Sequence, residues 1–213
     1  MARFDTLLFD LDGTLIDHFA AIQRAHTHTM TQLGLPPPTM EQVHRAVGGG
    51  LETAIERLVG RERLAAALPI YRAYWDATML DDVKLLPGAR ELLADLHASG
   101  ATLAVFTNKL GTSSRLICDH LVITPFFSAI VGAKDTAWLK PQSEFTNYIL
   151  KKLAASPATT LLVGDSTYDV EAARNGGFPC WAVTTGTHNG DQLHAAGAEK
   201  VFLDLIALRA ALD

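Results

Sequence analysis

Short apolar runs alternate along the chain with segments of helical periodicity. The runs cover residues 6–9, 101–106, 129–131, 160–163 and 179–183, and each ends in polar or glycine-containing sequence. An apolar run without polar alternation is typical of a strand that is covered on both faces, as in a parallel sheet. The segments between the runs have helical patterns over residues 88–98, 112–121, 143–154 and 167–175. This alternation predicts right-handed βαβ units and an α/β fold with a doubly wound parallel sheet.

Residues 16–82 do not follow this alternation. They contain helical stretches over residues 18–33, 39–47, 51–59 and 62–80, and no convincing strand. Proline and glycine runs separate the stretches, as expected of helix boundaries. We therefore expect an all-α domain of residues 16–82, inserted into a core domain of residues 1–15 and 83–213.

Composition and charge narrow the class of protein. Of the 213 residues, 48% are hydrophobic and 19% are charged, a balance typical of a globular domain with a sizeable core. A net charge of −5 argues against nucleic acid as the main partner, because phosphate backbones need a basic surface. No apolar run has the length of a membrane span, and the N-terminus carries aspartates where a signal peptide is apolar. The prediction is a cytoplasmic protein without a nucleic-acid or membrane partner, as a monomer or a homodimer.

Two carboxylates follow the first strand directly. Asp10 and Asp12 are two positions apart, so on extended backbone both side chains point the same way from the carboxyl end of the strand. Open α/β sheets bind ligands at that edge. Adjacent carboxylates repel each other, and a divalent cation such as Mg²⁺, which prefers oxygen ligands, removes the repulsion. A turn at Asp12-Gly13 is the structural alternative.

Polar residues also follow the other predicted strands. Asp165 and Asp169 lie after the run at 160–163 and could sit by the first turn of one helix. Thr107 and Asn108 are expected at a helix N-terminus, where backbone N–H groups bind anions. Lys140 could reach the same edge and neutralise charge on a phosphoryl group. Taken singly, each of these residues is equally typical of a helix cap or a solvated surface position.

The residues together resemble the motifs of a known family. The segments DLDGT (10–14), TN (107–108), KP (140–141) and GDSTYD (164–169), in that order, resemble the four motifs of the haloacid dehalogenase-like hydrolase superfamily. The resemblance covers the whole chain and implies a Rossmann-like core, with the insert at 16–82 in the place of that superfamily's α-helical C1 cap. Several stretches, among them LFDLDGTLID and VGDSTYDVEAARNGG, are most similar to the phosphoglycolate phosphatase group.

The resemblance implies a Mg²⁺-dependent phosphatase that acts on a small phosphorylated metabolite. Asp10 would be the nucleophile that forms an aspartyl-phosphate, and Asp12 the general acid and then the general base. The cation would be held by the side chains of Asp10 and Asp165 and by the backbone carbonyl of Asp12, with Asp169 completing or orienting that shell. The phosphoryl oxygens would be gripped by Thr107, Asn108 and Lys140.

Other reactions on the same motifs stay open at this point. A sugar phosphomutase of the β-phosphoglucomutase type shares all four motifs, and Arg45 and Arg57 lie near the loop where it carries a basic residue. A pyrophosphatase or a nucleotide monophosphatase would use the same core. A phosphate-sensing module of the receiver type is the non-enzymatic alternative. Asp12 argues against that module, because a receiver-type site lacks a well-placed second acid–base group.

Four further features of the chain lie outside these motifs. His18 stands where the family often has serine, at the point where the chain enters the insert. Lys109 follows the TN motif and could touch the substrate. The aromatic residues of segment 71–79 have the spacing of a packing stripe on a helix, and Tyr74 or Trp75 is the alternative candidate to line a substrate cleft. Segment 187–190 is predicted to be a surface loop.

Overall fold

The structure is a computed structural model, and it describes residues 4–212. Its strands are β1 (Thr6–Phe9), β2 (Ile16–Asp17), β3 (Lys84–Leu85), β4 (Thr102–Leu110), β5 (Ala129–Ala133), β6 (Thr160–Gly164), β7 (Cys180–Val183) and β8 (Lys200–Phe202). Its α-helices are α1 (Phe19–Gln32), α2 (Met40–Ala46), α3 (Leu51–Val59), α4 (Leu64–Thr78), α5 (Ala89–Ala98), α6 (Gly111–His120), α7 (Ser143–Leu153), α8 (Thr167–Gly176), α9 (Gly190–Ala196) and α10 (Leu205–Ala210). Within residues 4–212, no helix has the combined length and apolar character to cross a membrane.

Six strands form one parallel sheet in the order β5-β4-β1-β6-β7-β8. This confirms the predicted fold class, an α/β fold with a parallel sheet between helices. Phe9 of β1 is in register with Val105 of β4 on one side and with Val163 of β6 on the other. Strand order therefore reverses at β1, and side chains that follow β1, β4 and β6 meet at the switch point where such sheets bind ligands.

The sheet is covered on both faces, which explains the unbroken apolar runs. Successive side chains of β1 point to opposite faces, and all of them are buried. Leu7 packs into one hydrophobic cluster together with Leu93 of α5. Leu8 packs into a second cluster together with Phe106 and with Phe145 of α7. Because neither face of the sheet contacts water, apolar residues are favoured at every position of the strand, and apolar and polar residues do not alternate.

Helices α1 to α4, here called the helical insert, lie between β2 and β3. Their bounds agree with the predicted stretches, except that the last begins with a 3₁₀ turn at Arg61–Arg63 before α4. The expectation of no strand within 16–82 was wrong. Ile16 and Asp17 form β2, which pairs antiparallel with β3. This two-residue ladder joins the two points where the chain leaves and re-enters the core, and it is too short to show a strand pattern in the sequence.

Two other expectations need correction, and three short elements were not predicted. Thr107 and Asn108 do not lie at a helix N-terminus, because β4 continues to Leu110 and α6 begins at Gly111. The elements α9, β8 and α10 were not predicted, since each has too few residues to set up a periodicity. The surface loop predicted at 187–190 ends where α9 begins, and Thr187 in it contacts the candidate site described next.

Candidate active site

Three carboxylates from distant parts of the chain meet at the carboxyl edge of the sheet. Asp10 directly follows β1, and its backbone N–H donates to the carbonyl of Val163 in β6. Asp165 directly follows β6, and Asp169 lies in the first turn of α8. One carboxylate oxygen from each of the three aspartates lies within 4.8 Å of the others. Sheet topology thus brings together three of the four acidic residues that the strand-end argument selected; the fourth, Asp12, lies outside this group.

Lys140 lies between two of these carboxylates. Its Nζ is 2.6 Å from Oδ1 of Asp169 and 3.1 Å from Oδ1 of Asp10. Burial lowers the pKa of Lys140, but Asp10 and Asp169 outweigh that effect, and the net shift is upward. Asp169 is itself held at the start of α8, where its Oδ2 accepts from the backbone N–H and the hydroxyl of Ser166 at 3.0 and 2.6 Å. Asp169 therefore holds the Lys140 side chain in its charged form beside Asp10.

The three carboxylates of Asp10, Asp165 and Asp169, here called the acidic trio, repel one another in a buried site. Burial, with a contribution from Asp169, raises the pKa of Asp10 to about 6 even though Lys140 opposes the shift. Burial and repulsion by Asp10 and Asp169 raise the pKa of Asp165 to about 8. Oδ1 of Asp10 is buried and accepts no hydrogen bond, since its contact with Lys140 lacks hydrogen-bond geometry. Buried carboxylates of this kind are stabilised by a cation.

Asp165 is oriented by residues that the sequence did not single out for that purpose. The hydroxyl of Thr14 donates to its Oδ1 at 3.0 Å, and the backbone N–H and hydroxyl of Thr187 donate to its Oδ2 at 2.7 and 3.0 Å. The loop after β7 can approach so closely because it has Gly186, where a Cβ atom would overlap with the Asp165 carboxylate. No local pattern marks Thr187, since its partner is 22 residues away.

Asp12 stands apart from the acidic trio and pairs with Lys109. Nζ of Lys109 donates to both carboxylate oxygens of Asp12, at 3.0 and 2.8 Å. Nδ1 of His18 is 3.4 Å from Oδ1 of the same carboxylate. Burial raises the pKa of Asp12, but Lys109 and His18 more than offset it, so the pKa lies well below its usual value. Asp12 is therefore ionised in this structure.

His18 connects Asp12 with the end of the helical insert. Its Nε2 is 2.6 Å from the carbonyl oxygen of Met79, which can only accept, so Nε2 carries the proton. Its Nδ1 is buried and has no hydrogen-bond partner. The ring also packs on Trp75 of α4, with 4.9 Å between the ring centroids. The unusual residue at the start of the insert thus touches Asp12 on one side and the far end of the insert on the other.

The side-chain amide of Asn108 makes hydrogen bonds to backbone groups. Oδ1 accepts from the N–H of Lys140 at 2.7 Å, and Nδ2 donates to the carbonyls of Lys140 and Gly48, both at 2.9 Å. Gly48 lies between α2 and α3, so this side chain joins the core to the helical insert. Thr107 accepts from the backbone N–H of Lys109 at 3.2 Å. The contacts of Asn108 hold Lys140 in place, and its expected contact with phosphoryl oxygens stays a prediction.

A cavity separates the carboxyl edge of the sheet from the helical insert. Its core side is formed mainly by polar residues: Asp10, Asp12, Thr107, Asn108, Lys109, Ser113, Asp165, Ser166 and Thr187. Its insert side is formed mainly by apolar and aromatic residues: Ile22, His26, Val47, Leu51, Ala54, Tyr71 and Trp75. Tyr71 and Trp75, whose spacing predicts a packing stripe, therefore also face the cavity, as the alternative for Trp75 predicts. The arrangement can hold an anionic group against the sheet edge and the rest of a small molecule against the insert.

Sequence comparison agrees with this geometry. Residues 7–183 match the family model described as haloacid dehalogenase-like hydrolase, so the chain belongs to that family. It is 34% identical to the Dickeya dadantii protein named "Probable phosphatase IndB", over 92% of this chain and 87% of that protein. It is 31% identical to a phosphoglycolate phosphatase of Caulobacter vibrioides, over 94% and 88% of the two chains. A 5'-nucleotidase of Pseudomonas aeruginosa is 30% identical, over 99% and 96%. The predicted family and the predicted enzyme class, a phosphatase, are confirmed.

Solved structures confirm the fold. A structure described as a predicted phosphatase from Clostridium acetobutylicum superposes with a TM-score of 0.90 at 26% identity, over 99% of both chains. A structure described as a predicted phosphoglycolate phosphatase from Haemophilus somnus superposes with a TM-score of 0.93 at 24% identity, over all of both chains. At that identity the second likeness concerns the fold alone. The arrangement of sheet and helical insert is thus shared along the whole length of the chain.

Proposed function

We propose that this protein is a Mg²⁺-dependent phosphatase that hydrolyses a small phosphomonoester through an aspartyl-phosphate on Asp10. The observation that carries the proposal is the position of Asp10, buried at the sheet edge with the Lys140 ammonium 3.1 Å from its Oδ1. A carboxylate in that position can attack phosphorus while the ammonium offsets charge on the phosphoryl oxygens. Relatives named phosphoglycolate phosphatase and 5'-nucleotidase support a small phosphorylated metabolite as substrate.

The donor groups fit Mg²⁺. The acidic trio offers only oxygen atoms, which are the ligands that Mg²⁺ prefers. Asp10 has a buried oxygen that accepts no hydrogen bond, and repulsion raises the pKa values of Asp10 and Asp165. The ion would be held by the side chains of Asp10 and Asp165 and by the backbone carbonyl of Asp12, with Asp169 completing or orienting the shell. When bound, Mg²⁺ supplies positive charge that neutralises these carboxylates and polarises the phosphoryl oxygens.

In the first step, an oxygen of Asp10 attacks phosphorus. The new bond joins that oxygen to phosphorus, and the bond from phosphorus to the substrate alcohol breaks. Asp12 takes up a proton from solvent when the substrate binds and gives it to the departing oxygen, so that a neutral alcohol leaves. A negative phosphoryl group close to Asp12 favours its protonated form, as like charges do. Lys140, held by Asp169, stays charged throughout and stabilises the transferring group.

In the second step, water attacks phosphorus and releases inorganic phosphate. Asp12 takes a proton from the water, and the bond between phosphorus and Asp10 breaks to regenerate the carboxylate. The ion pair with Lys109 favours the ionised form of Asp12 that this step uses. The helical insert over the cavity limits the access of bulk water, and its opening would release the products.

Phosphate release and the covalent intermediate provide the test. Purified protein should release phosphate from para-nitrophenyl phosphate with Mg²⁺, lose activity on chelation and regain it when Mg²⁺ is restored. Acid quenching during turnover of a radiolabelled ester should trap protein-bound phosphate that hydroxylamine removes. Asp10→Asn should show neither turnover nor trapped phosphate while it retains the wild-type circular dichroism spectrum. Activity in that variant, or activity that survives thorough chelation, would refute the corresponding part of the proposal.

The contacts of two arginines favour a phosphatase over a phosphomutase. A mutase needs a cation that holds the second phosphate of a sugar bisphosphate. Arg57 instead donates to the carbonyl of Ala46 at 3.1 Å and to the hydroxyl of Tyr168 at 2.9 Å. Arg45 pairs with Glu41 on the same exposed face of α2. Neither arginine lines the cavity above Asp10.

The domain division and the cellular location belong to the same proposal. Residues 16–82 would form the cap, and residues 1–15 and 83–213 the hydrolase core; residues 1–3 and 213 of that core lie outside the described residues. Helices α1 to α4 between β2 and β3 support this division. A cytoplasmic location suits an enzyme of small phosphorylated metabolites. The choice between monomer and homodimer stays open.

A further inference from the structure

The insert side of the cavity is built by side chains at helical spacing. Helix α1 contributes Ile22 and His26, α3 contributes Leu51 and Ala54, and α4 contributes Tyr71 and Trp75. Residues three or four positions apart share one face of a helix, so each helix presents one pair to the cavity. Of the six, Leu51 is half-buried and the other five are buried. These side chains, with Val47 and the backbone at Gly48 and Gly50, form a largely apolar wall on the insert side of the cavity.

The charged side chains of the cavity all come from the core. Among the residues that the structure describes, those with a carboxylate or an ammonium group on the cavity surface are Asp10, Asp12, Lys109 and Asp165. The insert contributes no Lys, Arg, Asp or Glu to that surface within residues 4–212. Its one titratable base is His26, whose pKa burial lowers to about 4, so the imidazole is neutral at physiological pH.

The ammonium group closest to this wall already has partners. Nζ of Lys109 is bonded to both oxygens of Asp12 and lies 4.5 Å from the ring centroid of Trp75. Trp75 in turn donates its indole N–H to the hydroxyl of Ser113 at 3.2 Å. The polar atom of Trp75 is thus directed into the core, and its hydrocarbon surface contributes to the wall.

A second negative charge on the substrate would be poorly placed against this wall. Moving a neutral polar group from water into an apolar surrounding without a hydrogen-bond partner costs about 2–7 kcal/mol. An ionised carboxylate costs more than that. An apolar group of the same size gains from burial, at roughly 25 cal/mol per Å². Aromatic surface gains further from the ring row of His26, Tyr71 and Trp75, whose neighbouring centroids are 4.7 and 5.8 Å apart.

From this wall we infer the substrate class: a phosphomonoester whose alcohol part is uncharged and presents apolar, preferably aromatic, surface beside the phosphate. The inference rests on the proposed phosphatase function and adds the identity of the leaving group. It sets alkyl, benzyl and neutral nucleoside-like alcohols above alcohols that carry a carboxylate. Phosphoglycolate, the substrate named for several relatives, then ranks low for this chain.

Three esters of primary alcohols test the inference. Isobutyl phosphate has the branched shape of phosphoglycolate with two methyl groups in place of the carboxylate oxygens, and benzyl phosphate adds an aromatic ring. With purified protein and Mg²⁺, we expect kcat/KM for isobutyl and benzyl phosphate to exceed that for phosphoglycolate by about 10-fold or more, the range for apolar discrimination in a pocket. An equal or higher kcat/KM for phosphoglycolate would overturn the inference.

A charge introduced into the wall should change the preference. Leu51→Arg places a cation at the start of α3, and it should raise the ratio of kcat/KM for phosphoglycolate over isobutyl phosphate. The ratio is measured on one preparation, so partial loss of folded protein cancels. Leu203→Arg adds the same charge at a position that is 75% exposed and away from the cavity, and it should leave the ratio unchanged. An unchanged ratio in Leu51→Arg would contradict the role of this wall.

Failure of the function and failure of the inference give different results. If para-nitrophenyl phosphate and all three esters remain intact with Mg²⁺, the proposed phosphatase function is refuted and the inference falls with it. If para-nitrophenyl phosphate is hydrolysed and phosphoglycolate is the best of the three esters, the function stands and the inference alone is refuted.

Discussion

Lys109 and Asp12 form a two-point ion pair on the core side of the cavity, with Nζ at 3.0 and 2.8 Å from the two carboxylate oxygens. Both side chains are nearly inaccessible to solvent, at 8% and 13% exposure. Solvent screens a pair so shielded less than an exposed one, and loss of either charge would leave the other buried without its partner. Since Lys109 also contacts Trp75 of α4, the environment of Asp12 depends on how the helical insert sits over the core.

Loss of the Lys109 charge should impair catalysis. Lys109→Met removes the ammonium that orients Asp12, so we expect kcat/KM for para-nitrophenyl phosphate to fall by about 100-fold, within the range for general acid–base groups. Lys134→Met is the matched control, since Lys134 is 66% exposed and pairs with Glu52 on the surface. It should keep the wild-type kcat/KM. Equal rates for the two variants would show that the Lys109 charge does not act on Asp12.

Binding of Mg²⁺ should stabilise the fold through the acidic trio. At a Mg²⁺ concentration about 100 times Kd, the free energy of unfolding should increase by about 2.7 kcal/mol, measured as a rise in Tm on adding the ion. Asp165→Asn removes one of the three carboxylates and should abolish most of that rise. Asp191→Asn, an exposed aspartate in α9, should retain it. A rise of the same size in Asp165→Asn would place the ion elsewhere.

Removal of the Asn108 amide should reduce both stability and turnover. Asn108→Ala leaves the N–H of Lys140 and the carbonyls of Lys140 and Gly48 without their partner. Buried unpaired groups cost about 1–3 kcal/mol each, so chemical denaturation should show a loss within that range or above it. Lys140 would also shift from Asp10, which lowers kcat. Asn147→Ala, exposed on α7, is the control, and equal stability of the two variants would contradict the role of Asn108.

Burial of His26 should make the protein less stable in mild acid. Burial lowers its pKa from 6.5 to about 4, so the unfolded chain binds more protons than the folded one between these values. The stability that depends on a neutral His26 is therefore fully present above pH 6.5. As the pH falls toward 4, the free energy of unfolding decreases by up to about 3 kcal/mol, at 1.36 kcal/mol per pH unit.

The matched variants for this pH effect lie on one helix. His26→Gln should flatten the decline of the unfolding free energy between pH 6.5 and pH 4, measured by denaturant titration at several pH values. His28→Gln changes a half-buried histidine that stacks on Tyr74, and it should keep the wild-type decline. If the His26→Gln and wild-type curves run parallel, His26 does not contribute to acid sensitivity.

The sequence was most informative where a long-range arrangement follows from topology. Asp10 and Asp165 each come directly after an unbroken apolar run, and the carboxyl ends of parallel strands meet at one edge of a sheet. Their proximity could therefore be predicted without knowing the distance between them. The prediction was weaker for β2, β8 and α10, because two to six residues do not set up a periodicity. Thr107 and Asn108 were misplaced for a similar reason, since nothing in the sequence marks the end of β4.

By itself the sequence determined the doubly wound sheet, the helical insert and the acidic residues at the strand ends, because burial on both faces imposes an apolar run and the motifs follow those runs directly. Only the tertiary structure decided which side chains complete the site. Lys109 meets Asp12 across 97 positions, Asn108 meets Gly48 across 60, and Thr187 meets Asp165 across 22. Such pairs depend on the packing of separate elements, and a linear pattern carries no signal of it. The apolar wall over the cavity belongs to the same group, since its residues come from three helices whose shared surface exists only when they pack together.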